Sequence, residues 1–304
     1  MYDLIRVGRL NKKKVFIVIF MLIVFTALGT IGGIKFAKYE KNKKYAEELR
    51  MQVQQEMEAQ IKKQKEEEKK KQAIINKRVE QTSRAMTEDE QNRISHIYRS
   101  TGEKRVFLTF DDGPSESVTP LILDLLKKEN VKATFFTLGG NIKAHPELVK
   151  REFDEGHYIA NHGYSHKYSA VYASPEATLQ EYNTTEQAIK DALGNQSYRS
   201  NLFRFPGGSN GGIYNDAKQN SKALLRENGV VHLDWNCLSQ DAAGAHTKEA
   251  LLQNVIDTMG EKDSLVILMH DSSDKILTYE MLPDLINMLR EKGYKFENIY
   301  DLLD

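Results

Sequence analysis

The chain has a single cysteine, Cys237, so it can form no internal disulfide. A domain of this protein outside the cell therefore has to rely on its hydrophobic core. Charge of either sign is not in excess: 43 Lys and Arg balance 43 Asp and Glu, which gives no indication of a nucleic-acid partner. Tryptophan occurs once, whereas 14 Tyr and 12 Phe are compatible with a large core in a chain of 304 residues. Neither glycine nor proline occurs from residue 34 to residue 101, so that stretch lacks the usual helix breakers. Charge is missing altogether from residues 15–34, VFIVIFMLIVFTALGTIGGI.

At about 1.5 Å per residue, that uncharged run is long enough to cross a hydrocarbon core of about 30 Å. Lys12, Lys13 and Lys14 precede it, with Arg6 and Arg9 further out. A cleaved signal peptide is the alternative, but its apolar region is typically only about 7–15 residues long. The nearest small-residue site, Thr30-Ile31-Gly32, is also a poor cleavage signal. The expectation is a single-pass anchor in the cell membrane. Residues 1–14 are the cytoplasmic basic tail, residues 15–34 the transmembrane signal anchor, and everything beyond lies outside the cell. Lys35 and Lys38 on the far side oppose this orientation without reversing it.

Residues 35–103 form a charged segment, densest at Lys62-Lys63-Gln64-Lys65-Glu66-Glu67-Glu68-Lys69-Lys70-Lys71. Opposite charges three or four apart support a solvated helix. Tyr45, Leu49, Val53, Met57 and Ile61 recur every four residues, whereas a coiled coil alternates three and four. The expectation is a helical stalk or spacer, with stalk-mediated self-association open and a disordered linker as the alternative.

From residue 104 to residue 304, short apolar strands alternate with amphipathic helices. Arg105–Phe110, Val131–Leu138, His157–Asn161, Leu202–Phe205, Val230–Asp234, Ser264–Met269 and Tyr294–Ile299 read as strands. Helices read at Val118–Glu129, His145–Glu155, Pro175–Leu193, Asn215–Asn228, Lys248–Met259 and Tyr279–Glu291. Repeated β-α units imply an α/β fold with a parallel sheet, open or closed into a barrel, whose chemistry collects at the C-terminal strand ends.

Polar residues stand at those ends. Asp111 and Asp112 follow the first strand in LTFDDGPS, a stretch that alone reads as a turn. His162-Gly163-Tyr164-Ser165-His166 follows the third strand, and two histidines four apart on one helical turn can share a cation. Arg204-Phe205-Pro206-Gly207-Gly208 ends another strand, and His270-Asp271 ends the apolar Leu265–Met269 run. Each of these has an ordinary structural reading by itself. Parallel topology would turn all of them toward one mouth. Asp112, His162 and His166 would then be the ligands of a divalent metal with an open position, and Asp111 a base held ionised by Arg204.

These residues resemble, in family order, the polysaccharide deacetylases, also called carbohydrate esterase family four or the NodB homology domain. The motifs are Thr109-Phe110-Asp111-Asp112, His162 to His166, Arg204 to Gly208, Asp241, and Leu268-Met269-His270. The resemblance covers residues 104–304 and implies a distorted (β/α) barrel of the NodB homology type. It implies Asp111 as general base, Asp112, His162 and His166 as metal ligands, and Arg204 as the group orienting Asp111. His270 would be the general acid tuned by Asp241, the Gly207 N–H an oxyanion donor, and Leu268 the wall of the acetyl pocket. The metal would be zinc, with cobalt, nickel or manganese also fitting the donors.

The implied activity is hydrolysis of N-acetyl groups of cell-wall polysaccharide, with peptidoglycan N-acetylglucosamine expected. An O-acetyl polysaccharide esterase or a non-catalytic wall-glycan-binding module is the alternative. A zinc peptidase is disfavoured, because Gly163 stands where H-E-x-x-H needs its glutamate. Three positions depart from the family pattern. Gly163 replaces a hydroxyl residue, Gly207 an aromatic one and Ala242 a tryptophan.

Overall fold

The computed structural model describes residues 36–244 and 246–304. The expected cytoplasmic tail and the anchor at residues 15–34 lie outside them. Among the described residues no helix is long and apolar enough to cross a membrane. The chain divides into two units, Met1–Lys70 and Lys71–Asp304.

The charged segment is helical over Phe36–Thr82 (α1). In the first unit Tyr45 and Ile61, members of the four-residue apolar series, are 67% and 45% exposed. Pairs such as Glu66 and Lys70, 3.6 Å apart, line the helix surface as the charge spacing predicts.

The second unit starts some thirty residues before the expected boundary at residue 104. Ile75 and Val79 on the last turns of α1 pack on the core, and Met86, Ile94 and Ile97 are buried in it. Gln81 Nε2 donates to the Leu303 carbonyl at 3.0 Å, and Arg93 pairs with Asp304 at 2.7 Å. A short helix, Glu88–Ser95 (α2), begins with a capping box between Thr87 and Glu90. Glu90 is fully buried and takes two hydrogen bonds from Arg84, which hold its carboxyl down at about 2. Residues 71–103 therefore pack within the second unit.

The strands are β1 (Arg105–Asp111), β2 (Thr134–Thr137), β3 (Tyr158–Asn161), β4 (Leu202–Phe203), β5 (Val231–His232), β6 (Cys237–Leu238), β7 (Ser264–His270) and β8 (Lys295–Glu297). They lie in the order β5-β4-β3-β2-β1-β7-β6, and every pairing is parallel. β8 pairs with the first half of β1 and β2 with the second half. The sheet curls into a half-barrel, as expected for the NodB type. Helices α3 (Thr119–Lys128), α4 (Gly139–Ala144), α5 (Pro146–Glu155), α6 (Tyr168–Val171), α7 (Pro175–Leu193), α8 (Asn215–Glu227), α9 (Lys248–Met259) and α10 (Ile276–Glu291) connect the strands.

Strand alternation explains the layers. Val106, Leu108 and Phe110 of β1 join Ile267 and Met269 of β7 in one core with α3, α9 and α10. Phe107 and Val266 face the other way, into the second core. Thr109 and Asp111 share the face of Phe107, and Leu268 and His270 share that of Val266. The two polar strand ends therefore meet in register, Asp111 opposite His270.

Candidate active site

Asp112 adopts a left-handed conformation, φ 72°, immediately after β1. For a residue other than glycine this costs about 1–3 kcal/mol. The turn separates two carboxylates that adjacency would otherwise crowd: Asp111 meets Arg204, and Asp112 meets the histidines. Asn141 Nδ2 donates to the Asp112 carbonyl at 2.7 Å, and Leu138 N–H to that of Gly113 at 3.0 Å. Asp271 also shapes this turn. Its buried carboxyl would lie 2.1 Å from a Cβ on Gly113, so only glycine fits there.

Arg204, from the end of β4, has no exposure. Its Nη1 donates to Asp111 Oδ1 at 2.8 Å and to Thr109 Oγ1 at 2.7 Å. Nε and Nη2 donate to the Leu233 and Asp234 carbonyls, each at 2.9 Å, and the guanidinium lies 3.9 Å from the centroid of Phe136. So fixed, it orients the Asp111 carboxylate. Burial raises Asp111 above the usual carboxylate range, and Arg204 and His270 pull it partly back. That environment suits a general base.

His162 follows β3. Its Nδ1 lies 2.8 Å from the Arg204 carbonyl, which assigns the proton to Nδ1 and leaves the Nε2 lone pair toward the site. Burial, opposed by Asp112, brings its pKa down to about 3, so the ring is a neutral imidazole. Nε2 of His162 and Nε2 of His166 each lie 3.5 Å from Asp112 Oδ1. The expected helical turn is absent. Residues 162–167 form a loop in which Gly163 (φ 82°) and His166 (φ 55°) are left-handed, and the loop brings the rings within 5.3 Å.

The loop is held by Glu181 of α7, which the sequence reading missed. One carboxylate oxygen accepts from the N–H groups of Tyr164 and Ser165 at 2.6 and 2.8 Å, and the other from Ser165 Oγ at 2.7 Å. A Cβ on Gly163 would lie 3.5 Å from Glu181 Oε2, so the brace sits beside the position where the family resemblance implies a hydroxyl residue. Glu181→Ala is expected to weaken metal affinity about 10–100-fold while leaving the fold intact, as read by competition with a chelating dye.

The donors fit a divalent cation. Ligand atoms of Asp112, His162 and His166 all lie within 4.8 Å of one another. Asp112 Oδ1 is buried without a hydrogen-bond partner, a deficit that a cation would remove. One carboxylate oxygen and two imidazole nitrogens suit zinc and its neighbours.

His270 faces Asp111 from the end of β7. Its Nδ1 lies 2.8 Å from Asp241 Oδ1, and its N–H donates to Asp241 Oδ2 at 2.7 Å. Thr278 Oγ1, also missed, donates to the same Oδ2 at 2.8 Å. Burial disfavours the charged ring, but Asp241, with Asp111 and Asp112, outweighs it and lifts His270 to about 9. Gly207 (φ 70°) lies beyond β4, and among the described residues its N–H has no hydrogen-bond partner. Leu268, 8% exposed, sits on the face of His270. Ala242 is exposed, and the single tryptophan, Trp235, packs over Gly208 and Arg204.

A held carboxylate and a held imidazole face each other across the mouth of a β/α fold, an arrangement suited to acid–base chemistry. The family follows from comparison with known proteins. The model of the polysaccharide deacetylase family matches residues 98–229. A peptidoglycan-N-acetylglucosamine deacetylase of Bacillus cereus is 36% identical over 214 residues, 67% of this chain and 72% of that one. The chain belongs to the polysaccharide deacetylase family, hydrolases that act on N-acetyl groups. The peptidoglycan-N-acetylglucosamine deacetylase PgdA of Listeria monocytogenes is 34% identical over 217 residues. That match spans 69% of this chain but only 41% of the Listeria protein. Among solved structures, a Streptococcus mutans CE4 esterase superposes with a TM-score of 0.62 at 30% identity, covering 70% of this chain and 92% of that one.

Proposed function

We propose that this chain is a membrane-anchored, metal-dependent deacetylase of cell-wall glycan, acting on N-acetylglucosamine of peptidoglycan. The observation that carries the reading is the unpartnered, buried Asp112 Oδ1 between two imidazole Nε2 atoms, with Asp111 beside it held by a buried arginine. Asp112, His162 and His166 would hold the cation, with zinc the first candidate. When bound, it supplies a Lewis acid that polarises the acetyl carbonyl and makes water more acidic.

The chain's own groups move the protons. Asp111 accepts a proton from the attacking water as the new C–O bond forms at the acetyl carbon. The Gly207 N–H donates to the carbonyl oxygen as negative charge develops there. His270, protonated at neutral pH, delivers its proton to the amide nitrogen as the C–N bond breaks, leaving acetate and a free amine. Residues 15–34 would anchor the protein in the cell membrane, N-terminus inside. The helix over residues 36–70 would then act as a spacer between the bilayer and a catalytic unit facing the wall. The uncharged run supports the anchor, and the names of the bacterial relatives support a cell-wall substrate.

The test is acetate release by the purified protein from N-acetylated wall glycan, chitin oligomers and acetylated xylan, with metal content measured alongside. Release from the N-acetylated glycans is expected to cease on chelation and to return with Zn, Co, Ni or Mn. Glycan binding without acetate release under any of these metals would replace the enzyme by a binding module.

A further inference from the structure

The family resemblance implies an aromatic residue at position 207, and here it is glycine. The structure fills that space from another element. A Cβ on Gly207 would lie 2.4 Å from the Tyr168 hydroxyl oxygen and 3.0 Å from its Cζ. With the Tyr168 phenol where it stands, position 207 has no room for a side chain. Tyr168 opens α6, two residues after His166, and its ring lies 5.5 Å from the His166 ring. The ring also packs edge-on against Tyr172 and Tyr214, at 5.8 and 6.4 Å. Tyr172 ties α6 to the Gly207 turn, donating from its hydroxyl to the Pro206 carbonyl at 2.6 Å. The phenol is thus placed by its neighbours, yet among the described residues its hydroxyl has no hydrogen-bond partner, and the residue is 39% exposed.

The position of this unused donor is informative. It lies against the backbone of the residue whose N–H is also without a partner, beside a ring of the candidate metal centre. At neutral pH a phenol is a hydrogen-bond donor. We propose that the Tyr168 hydroxyl is a second donor, beside the Gly207 N–H, to the oxygen of the acetyl carbonyl as it becomes anionic. Glycine at 207 is what admits it. The assignment rests on the deacetylase reading above and adds a catalytic residue to it. A donor aimed at developing charge acts on the transition state more than on bound substrate, so its loss appears in kcat.

The experiment compares the full chain with its Tyr168→Phe variant on N-acetylglucosamine oligomers, with metal content and melting temperature measured on both. The variant keeps the ring and forfeits no protein hydrogen bond, so it is expected to fold and to load metal as the unaltered protein does. Its kcat is expected to fall about 10–100-fold, with KM within about threefold. A kcat within about twofold of the unaltered protein overturns the assignment, as does a loss confined to KM, which would make Tyr168 a stacking surface for the sugar. Loss of metal in step with activity overturns it too, by making Tyr168 a support for His166. Failure of the unaltered protein to release acetate refutes the deacetylase reading itself, an outcome distinct from normal release by both proteins.

Discussion

Asparagine in place of Asp111 is expected to lower acetate release about 10³-fold, roughly 4 kcal/mol of barrier, with metal content and glycan binding near those of the unaltered protein. The amide has the shape of the carboxylate and its oxygen can still accept from Arg204 Nη1, but it cannot take a proton from water. Asp112 and both histidines are untouched, so the cation should stay. The buried guanidinium loses its counter-charge, and some stability is lost with it. Three acceptors remain on Arg204, the Thr109 hydroxyl and the Leu233 and Asp234 carbonyls, which limits that loss. Rate and metal content are therefore to be read well below the melting temperature. An Asp111→Asn protein that keeps more than a tenth of the activity would remove Asp111 from the role of base.

The second large effect belongs to His270 and its partner. His270→Asn is expected to cost about 10²–10⁴-fold in kcat, because the amine then leaves without a proton donor. Asp241→Asn is the finer probe. The His270 pKa stands above its ordinary value, at about 9, so the proton it donates is present through neutrality and is lost as pH rises through about 9. A cation on Asp112 would cancel part of the contribution from that carboxylate and leave Asp241 as the dominant support. Without the Asp241 charge, the ring returns toward the ordinary value of about 6.5. At pH 8 the protonated fraction then falls from about nine-tenths to about 3%, a loss of about 30-fold in rate, with little change near pH 5.5. A basic limb of the pH–rate profile that stays in place in Asp241→Asn would show that His270 is not the acid. By the same linkage, the pair stabilises the fold fully below about pH 6.5, and that contribution fades as pH rises through about 9.

Much of the site was readable because its residues are punctuation in a regular pattern. Asp111, His162, Arg204 and His270 each end or follow a short apolar strand, and parallel strands joined by helices bring such ends together. The lower boundary of the catalytic unit was not readable. Ile75, Val79, Met86, Ile94 and Ile97 are scattered among charges, and the surfaces that bury them come largely from much later in the chain, Tyr198, Ile299 and Tyr300 among them. β6 escaped for a different reason. Two residues, Cys237 and Leu238, are too few to show a period. The histidine spacing was read on a helical turn, whereas two left-handed residues in a loop do the work of convergence.

Residue order was enough to read the β/α architecture and to place Asp111, Asp112, His162, His166 and His270 at or just beyond the ends of three parallel strands, because each stands at the close of a local pattern with a known direction of folding. Which groups pack around those strand ends was decided only by folding in three dimensions. Glu181 under the histidine loop, Thr278 behind Asp241, Asp271 against Gly113 and Tyr168 over Gly207 are ordinary residues in ordinary places along the chain. They become a site because packing brings distant segments within hydrogen-bonding or van der Waals distance, and no short-range periodicity encodes which segments those will be.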